Sequence, residues 1–137
     1  MNIEYTEDLN DEIYDLIGDG FNKYADEHDT ECNYREFAFV AREGDELAGV
    51  VTCNTLYKEI RVHDLIIAEK FRRHRLGSAM LKAIEDHFKD KGFDNINLTT
   101  YAFQAPEFYK KCGYELEFVR KNKTDPKLDK YFFAKYF

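Results

Sequence analysis

The sequence predicts a mixed α/β domain, and three observations lead to that prediction. The chain has 137 residues, of which 44% are apolar, enough for one substantial core. Two segments repeat apolar residues at the helical period, and between them lie segments with strand-like alternation. Only two prolines and seven glycines occur, and no repeat or linker divides the chain. We therefore expect a single domain over residues 1–137.

The chain is predicted to begin with a short strand and a helix. Asn2 to Tyr5 alternates apolar and polar residues, which predicts the strand. Between Leu9 and Tyr24, apolar residues recur at steps of three and four, which is the helix period. Thr6 or Asn10 is the expected cap of that helix.

Three strands are predicted next. Phe37–Arg42 and Leu47–Leu56 flank a Glu43–Glu46 turn and read as a hairpin. Glu59–Ala68 alternates before it ends in an apolar run, which predicts a third strand.

The second half of the chain alternates helices and strands. The apolar spacing from Leu76 to Phe88 gives the clearest helix in the sequence, and Asn95–Tyr101 reads as a strand. Pro106 opens a short helix that ends at Cys112 before Gly113. Residues 114–119 and 131–137 are predicted to form two closing strands.

Composition argues against a secreted or membrane protein. The first residues lack a basic segment followed by an apolar run, so they do not resemble a signal peptide. No apolar stretch approaches the roughly 20 residues of a spanning helix. Cys32, Cys53 and Cys112 are odd in number and lack metal spacing, which predicts reduced thiols, no metal site and a cytoplasmic location.

Charge is distributed unevenly along the chain. Residues 1–36 hold twelve acidic and two basic residues, a balance of −10, whereas residues 58–91 have a balance of +3. The basic residues crowd into one turn instead of forming a stripe, so nucleic-acid binding is not expected. A basic turn in an acidic chain suits a small polyanion. The acidic segment fits either a cationic ligand or a merely solvated helix.

The basic turn has the features of a phosphate-binding site. An apolar strand ends at Ile67, and a helix begins near Leu76, where free backbone amides and the helix dipole favour an anion. Gly77 allows a phosphate to approach the backbone closely. The arginines between them, Arg72, Arg73 and Arg75, would add charge-assisted hydrogen bonds.

Two motifs resemble those of the GNAT acetyltransferase superfamily. Arg72-x-x-Arg75-x-Gly77 is similar to the acetyl-CoA-binding motif Gln/Arg-x-x-Gly-x-Gly/Ala of that family. Pro106 to Tyr114 contains a Phe-Tyr pair followed by Lys-x-Gly-Tyr, which resembles a later signature of the family. The two motifs lie about thirty residues apart, as in the family, and with the order of elements the resemblance covers the whole chain.

The resemblance implies a GNAT-like fold and an acetyl-CoA site. The implied fold has a mostly antiparallel sheet of six to seven strands, splayed in the middle, with helices on both faces. The first glycine of the motif is Arg75 here, and we expect its backbone to avoid a positive φ. The implied acetyl-CoA-binding residues are Leu65, Ile66, Ile67, Arg72, Arg73, His74, Arg75, Leu76, Gly77, Ser78, Gln104, Phe108 and Tyr109.

The resemblance also implies an acid for the reaction, whereas a base is harder to place. Tyr109 matches the tyrosine that faces the cofactor sulfur and acts as general acid, or it is a packed aromatic residue. Deprotonating an amine favours a base, and the candidates are His63 and Glu59. Their even spacing predicts one sheet face shared with Leu65 and Ile67, with Asp64 opposite. Ordered water alone is the alternative.

The predicted activity is acetyl transfer from acetyl-CoA to a primary amine of a small, cationic molecule. The resemblance places the acidic N-terminal segment at the acceptor pocket. A protein N-terminus or lysine is an alternative acceptor, and a non-catalytic acyl-CoA-binding module is an alternative function. The protein is expected to be a monomer or a homodimer.

Overall fold

The computed structural model describes residues 1–137. The chain forms two compact units, residues 1–33 and residues 34–137. No helix is both long and apolar enough to span a bilayer. In chain order the elements are α1 (Asp11–Glu27), β1 (Arg35–Glu43), β2 (Glu46–Leu56), β3 (Glu59–Ile67), α2 (Leu76–Phe88), β4 (Asn95–Tyr101), α3 (Pro106–Lys111), β5 (Glu115–Arg120) and β6 (Lys130–Tyr136).

The first unit contains one helix. Asn10 caps α1, because its side-chain oxygen accepts a hydrogen bond from the amide of Ile13 at 3.1 Å. The strand predicted at Asn2–Tyr5 is wrong: these residues have no regular structure, and Ile3 is 99% exposed. A four-residue strand without burial gains too little to offset the entropy of ordering it.

The second unit is built on a six-stranded sheet in the order β1-β2-β3-β4-β6-β5. All neighbouring strands are antiparallel except β3 and β4, which are parallel. The strands form where the sequence predicts them, and the predicted fold class is confirmed.

The sheet opens in its middle. Parallel pairing of β3 with β4 is limited to residues 59–61 of β3 and 95–97 of β4. Beyond Arg61, β3 continues to pair with β2, and beyond Asn97, β4 continues to pair with β6. The edge of β3 that faces β4 therefore has backbone groups without a ladder partner over its second half.

A β-bulge interrupts β3 near this opening. Val62 pairs with Cys53 and Asp64 pairs with Thr52, so His63 is the extra residue. Before the bulge, Ile60 and Val62 face the core, and after it Leu65 and Ile67 do. The expectation that His63 and Glu59 share a face with Leu65 and Ile67 is therefore wrong, because the bulge shifts the alternation by one residue.

The core lies between the sheet and α2. The apolar stripe of α2 buries Met80, Leu81 and Ile84 against strand residues that include Ile96 and Phe133. Burying each large side chain of this kind contributes roughly 1.5–3 kcal/mol. Tyr109 of α3 packs into the same cluster, so α2 and α3 cover the same face of the sheet. We call the opposite face of the sheet the outer face.

Candidate active site

A cavity of about 750 Å³ lies where the end of β3, the following turn, α2 and α3 meet. Most of its lining is apolar and comes mainly from the strand end and from α3, whereas three of its four basic side chains come from the turn. The lining residues are Leu65, Ile66, Ile67, Phe71, Arg72, Arg73, Arg75, Leu76, Gly77, Ser78, Ala105, Phe108, Tyr109, Lys111 and Cys112.

The structure brings together almost all of the residues expected to bind the cofactor. Only His74 and Gln104 of that set do not line the cavity. His74 is exposed, and the Gln104 side chain accepts a hydrogen bond from the backbone amide of Tyr101 at 3.0 Å. Gln104 therefore shapes the loop after β4.

Arg75 immediately precedes α2 with a left-handed backbone, at φ 59° and ψ 21°. The expectation that Arg75 would avoid a positive φ is wrong. The turn keeps the conformation that glycine adopts most easily, and an arginine adopts it at a cost of about 1–2 kcal/mol. Arg73 has a positive φ of 68° as well. The arginine side chains are thus held on a strained backbone beside the cavity.

The N-terminus of α2 has no side-chain cap. The amides of its first turn have no carbonyl partner within the helix, and two of them belong to Gly77 and Ser78. The Ser78 hydroxyl donates to the carbonyl of Arg75 at 3.1 Å and so leaves these amides free. Together with the helix dipole, such amides form an anion site.

The basic residues around this helix end differ in the contacts that their side chains make. Lys70 pairs with Glu46 at 2.7 Å, so its charge is directed away from the cavity. Arg72 donates through Nε to the carbonyl of Ile67 at 3.0 Å, which ties the turn to the end of β3. Arg73 and Arg75 form no ion pair within the chain and line the cavity.

Lys111 also lines the cavity, and the sequence prediction missed it. It lies inside the second motif, one residue before the end of the helix predicted there. The available signal was that it lies three residues after Phe108 on the same short helix, a spacing that places both side chains on one helix face.

Gly77 of α2 lies against the side chain of Phe108 in α3. A Cβ atom at this position would lie 3.1 Å from Cζ of Phe108. The absence of a side chain therefore lets the Phe108 ring form a wall of the cavity next to the helix N-terminus.

Tyr109 lies at the inner part of the cavity and is 9% exposed. Its ring packs against Phe108 and Phe133, with centroids 5.1 and 6.1 Å away. Burial raises the pKa of Tyr109, so the phenol keeps its proton at neutral pH. Cys112 is in the same cavity, and the pKa of its thiol is also raised, chiefly by burial.

The two candidate bases lie on the outer face, away from Tyr109. His63 and Asp64 line an outer-face cavity of about 630 Å³ together with Tyr34, Glu36, Phe37, Ala38, Thr52 and Cys53. The bulge explains why both neighbours reach it. Glu59 lines a different depression and accepts a hydrogen bond from Nδ2 of Asn95 at 3.4 Å.

The cavity next to Tyr109 matches the chemistry of an acyl-coenzyme A. A polyphosphate suits the uncapped helix end with Arg73 and Arg75. The apolar walls, together with the open edge of β3, suit an amide-containing arm such as pantetheine. Because Gly77 has no side chain, the space beside the helix end stays open.

Comparisons with known proteins identify the family of the chain. Residues 4–114 match the family described as Acetyltransferase (GNAT) family. The chain is 28% identical over 124 residues to an uncharacterized N-acetyltransferase, YvbK, from Bacillus subtilis, covering 87% of this chain and 77% of that protein.

Solved structures show the same fold. An acetyltransferase from Bacillus cereus superposes with a TM-score of 0.78 at 27% identity, covering 98% of both chains. An aminoglycoside 6'-N-acetyltransferase complexed with coenzyme A superposes with a TM-score of 0.66 at 19% identity, covering 99% of this chain and 97% of that one. The chain therefore belongs to the GNAT acetyltransferase family and is an acetyl-CoA-dependent N-acetyltransferase.

Proposed function

We propose that this protein transfers an acetyl group directly from acetyl-CoA to a primary amine of a small, cationic molecule. The observation that carries the proposal is that one cavity joins an uncapped helix end, free arginines and a buried, protonated tyrosine next to the open edge of β3.

The acetyl-CoA site is assigned to the residues that line this cavity. The amides of Gly77 and Ser78 would donate to the pyrophosphate, and Arg73, Arg75 and Lys111 would neutralise its charge. The unpaired edge of β3 at Leu65–Ile67 would hold the pantetheine arm by backbone hydrogen bonds. Acetyl-CoA itself supplies the activated acyl group as a thioester.

Tyr109 is proposed as the general acid. As the amine nitrogen attacks the carbonyl carbon, the carbon–sulfur bond breaks and the sulfur takes a proton from the Tyr109 hydroxyl. The attacking nitrogen carries one surplus proton, which returns to the Tyr109 oxygen through water. The raised pKa of Tyr109 keeps this acid protonated at neutral pH.

His63 is proposed as the base that first neutralises the acceptor. A primary ammonium ion with a pKa near 10.4 must lose a proton before it can attack. His63 lies on β3, three residues before Ile66, which belongs to the segment proposed to hold the pantetheine arm. This spacing is about 10 Å along the strand. Glu59, in a separate depression, is the second candidate, and ordered water is the alternative.

Charge supports a cationic acceptor. Two carboxylates, Glu36 and Asp64, line the outer-face cavity that contains His63. Residues 1–36 have a net balance of −10, which favours the approach of cations. The aminoglycoside 6'-N-acetyltransferase to which the fold is similar is named for an acceptor class rich in amines.

The cysteines favour direct transfer over an acetyl-enzyme. A thiol acts as a nucleophile in its thiolate form. Burial raises the pKa of Cys53 to about 12 and also raises the pKa of Cys112. Both thiols are therefore protonated at neutral pH, so a single-step attack by the amine is the simpler route.

Thiol release from acetyl-CoA with a panel of acceptors tests the proposal. Diamines and polyamines are expected to be turned over, whereas neutral amides and carboxylate-bearing amines of similar size are not. Activity restricted to anionic or neutral acceptors would refute the cationic preference. A mass increase on a protein in cell extract, with no small amine used, would show that a protein N-terminus or lysine is the acceptor.

A further inference from the structure

His63 is held by a buried side chain that the sequence did not single out. Nε2 of His63 is in hydrogen-bond contact with Oδ1 of Asn54 on β2. Asn54 is 5% exposed, although it belongs to the outer face of the sheet. The contact exists because the β3 bulge places His63 as an extra residue between the rows that contain Thr52 and Cys53.

A second hydrogen bond fixes the orientation of the Asn54 amide. Its Nδ2 donates to the carbonyl oxygen of Thr55 at 3.2 Å. A flipped amide would place its oxygen against the Thr55 carbonyl oxygen, and a buried amide oxygen left without a donor costs about 1–3 kcal/mol. Asn54 therefore presents its oxygen to His63 and can only accept there.

The hydrogen-bond acceptor that faces Nε2, the Asn54 oxygen, determines which ring nitrogen of neutral His63 carries the proton. In a neutral imidazole one nitrogen is a donor and the other an acceptor, and the hydrogen bond at one nitrogen sets the state of the other. With Nε2 donating to Asn54, Nδ1 has the free electron pair. We propose that Asn54 is a positioning residue that fixes this tautomer, so that Nδ1 of His63 takes the proton from the acceptor ammonium.

This inference rests on the proposed function, and its proton balance is simple. An N–H bond of the ammonium breaks, the electron pair stays on the nitrogen, and the proton moves to Nδ1. The resulting imidazolium keeps its Nε2–H bond to Asn54 and releases the Nδ1 proton to solvent through the open cavity. The neutral amine is then ready to attack.

The groups around His63 are consistent with this direction of transfer. Glu36 on β1 lies opposite Asn54 and accepts from the hydroxyl of Tyr34 at 2.8 Å. Asp64 on β3 accepts from Thr52 at 3.0 Å, and Arg61 also lies opposite Asn54. Neither carboxylate accepts a hydrogen bond from the His63 ring, and both line the same cavity, where their negative charge would attract the acceptor cation.

Nitrogen-15 NMR of histidine-labelled protein tests the tautomer without any substrate. Wild-type His63 is expected to show a protonated Nε2 whose proton exchanges slowly with water, and a non-protonated Nδ1. In Asn54→Ala the Nε2 proton should exchange too fast to be observed. A wild-type His63 with its proton on Nδ1 would overturn the proposal whether or not Asn54→Ala folds.

Steady-state kinetics then test whether Asn54 acts through His63. Asn54→Ala should lower kcat by about tenfold or more and move the acid limb of the rate profile, with the KM for acetyl-CoA unchanged. His63→Gln keeps a donor toward Asn54 but has no base. In that background, Asn54→Ala should cause no further loss, since residues that act as a unit are non-additive.

Asn97→Ala is the matched control, since it removes an outer-face amide that donates to Asn95 instead of His63. It should leave kcat unchanged. Additive losses for Asn54→Ala and His63→Gln would overturn the positioning role. A protein that fails to acetylate any amine but shows the expected Nε2 proton would overturn the proposed function and leave the tautomer assignment standing.

Discussion

Arg75 combines a structural cost with a proposed binding role. Its φ of 59° is one that glycine adopts freely and arginine adopts with strain. The side chain lines the cavity at the uncapped end of α2, where a cation can bind a phosphate. Strain of this kind is common at functional sites, where the surrounding structure maintains it.

Arg75→Gly should separate these two effects. Relief of the left-handed strain, less the greater freedom of glycine in the unfolded chain, should raise the free energy of unfolding by about 0.5–1 kcal/mol. Loss of the charge should weaken acetyl-CoA binding by roughly three- to tenfold. Urea unfolding and calorimetry measure the two effects.

Asp90→Gly is the control for Arg75→Gly, because Asp90 also has a positive φ, of 62°, but does not line the cavity. It should leave acetyl-CoA affinity unchanged. Unchanged affinity in Arg75→Gly would mean that the arginine is not a phosphate ligand.

Tyr109→Phe should lower kcat by about 10²-fold or more, with little change in acetyl-CoA affinity, because it removes only the proton donor. The pKa of Tyr109 is raised, so the wild-type acid is present throughout the neutral range and is lost only when the pH rises through that pKa. The wild-type rate should therefore not fall on account of Tyr109 between about pH 7 and 9.

Tyr114→Phe makes the same chemical change five residues away. The Tyr114 hydroxyl is buried without a hydrogen-bond partner, so its removal should leave kcat unchanged and should not reduce stability. Equal losses in the two variants would refute a specific role for Tyr109.

Cys112→Ala tests whether the acetyl group passes directly to the amine without an acetyl-enzyme. The protonated Cys112 thiol should not accept the acetyl group, so the variant should retain kcat within about threefold. Mass spectrometry of the wild-type protein mixed with acetyl-CoA alone should show no increase of one acetyl group. A stable acetyl-enzyme that disappears in Cys112→Ala would establish a two-step mechanism instead.

At the scale of elements, the site depends on three features: the opening between β3 and β4, the uncapped start of α2 and the approach of α2 to α3. Gly77 controls the last of these, since its Cα position lies against the Phe108 ring. The apolar cavity wall and the basic turn are thereby held together by the same packing contact.

Gly77→Ala should weaken acetyl-CoA binding by roughly tenfold, or about 1.4 kcal/mol. The added Cβ would be 3.1 Å from Cζ of Phe108, so this ring, which lines the cavity, must shift by a few tenths of an ångström. Isothermal calorimetry measures the affinity. Gly18→Ala in α1, where nothing lies within 4 Å, is the control and should raise helix stability without changing affinity.

Much of this arrangement followed from sequence periodicity, and the exceptions have physical causes. The helical spacing of Leu76–Phe88 and the basic turn before it were sufficient to predict the helix start that lines the cavity. The face of His63 was not predictable, because a bulge shifts the alternation without leaving a mark in the sequence. Asn54 was missed because its contact with His63 depends on the register between two strands.

Across the whole molecule, the acidic and the basic residues are concentrated in different parts of the chain. The acidic balance lies in residues 1–36, whereas the residues that line the proposed acetyl-CoA cavity carry four basic side chains and no acidic one. This distribution favours a polyanionic co-substrate at one site and a cationic acceptor at another. Raising the salt concentration from about 0.05 to 0.5 M should therefore increase both KM values, because it screens exposed charges.

A crystal structure with bound coenzyme A would locate the proposed cofactor site atom by atom. Electron density for the pyrophosphate is expected within hydrogen-bond distance of the amides of Gly77 and Ser78. The pantetheine arm should follow Leu65–Ile67, with its sulfur facing the Tyr109 hydroxyl. A coenzyme A molecule bound elsewhere would rule out this cavity as the cofactor site, and a sulfur that points away from Tyr109 would rule out Tyr109 as the general acid.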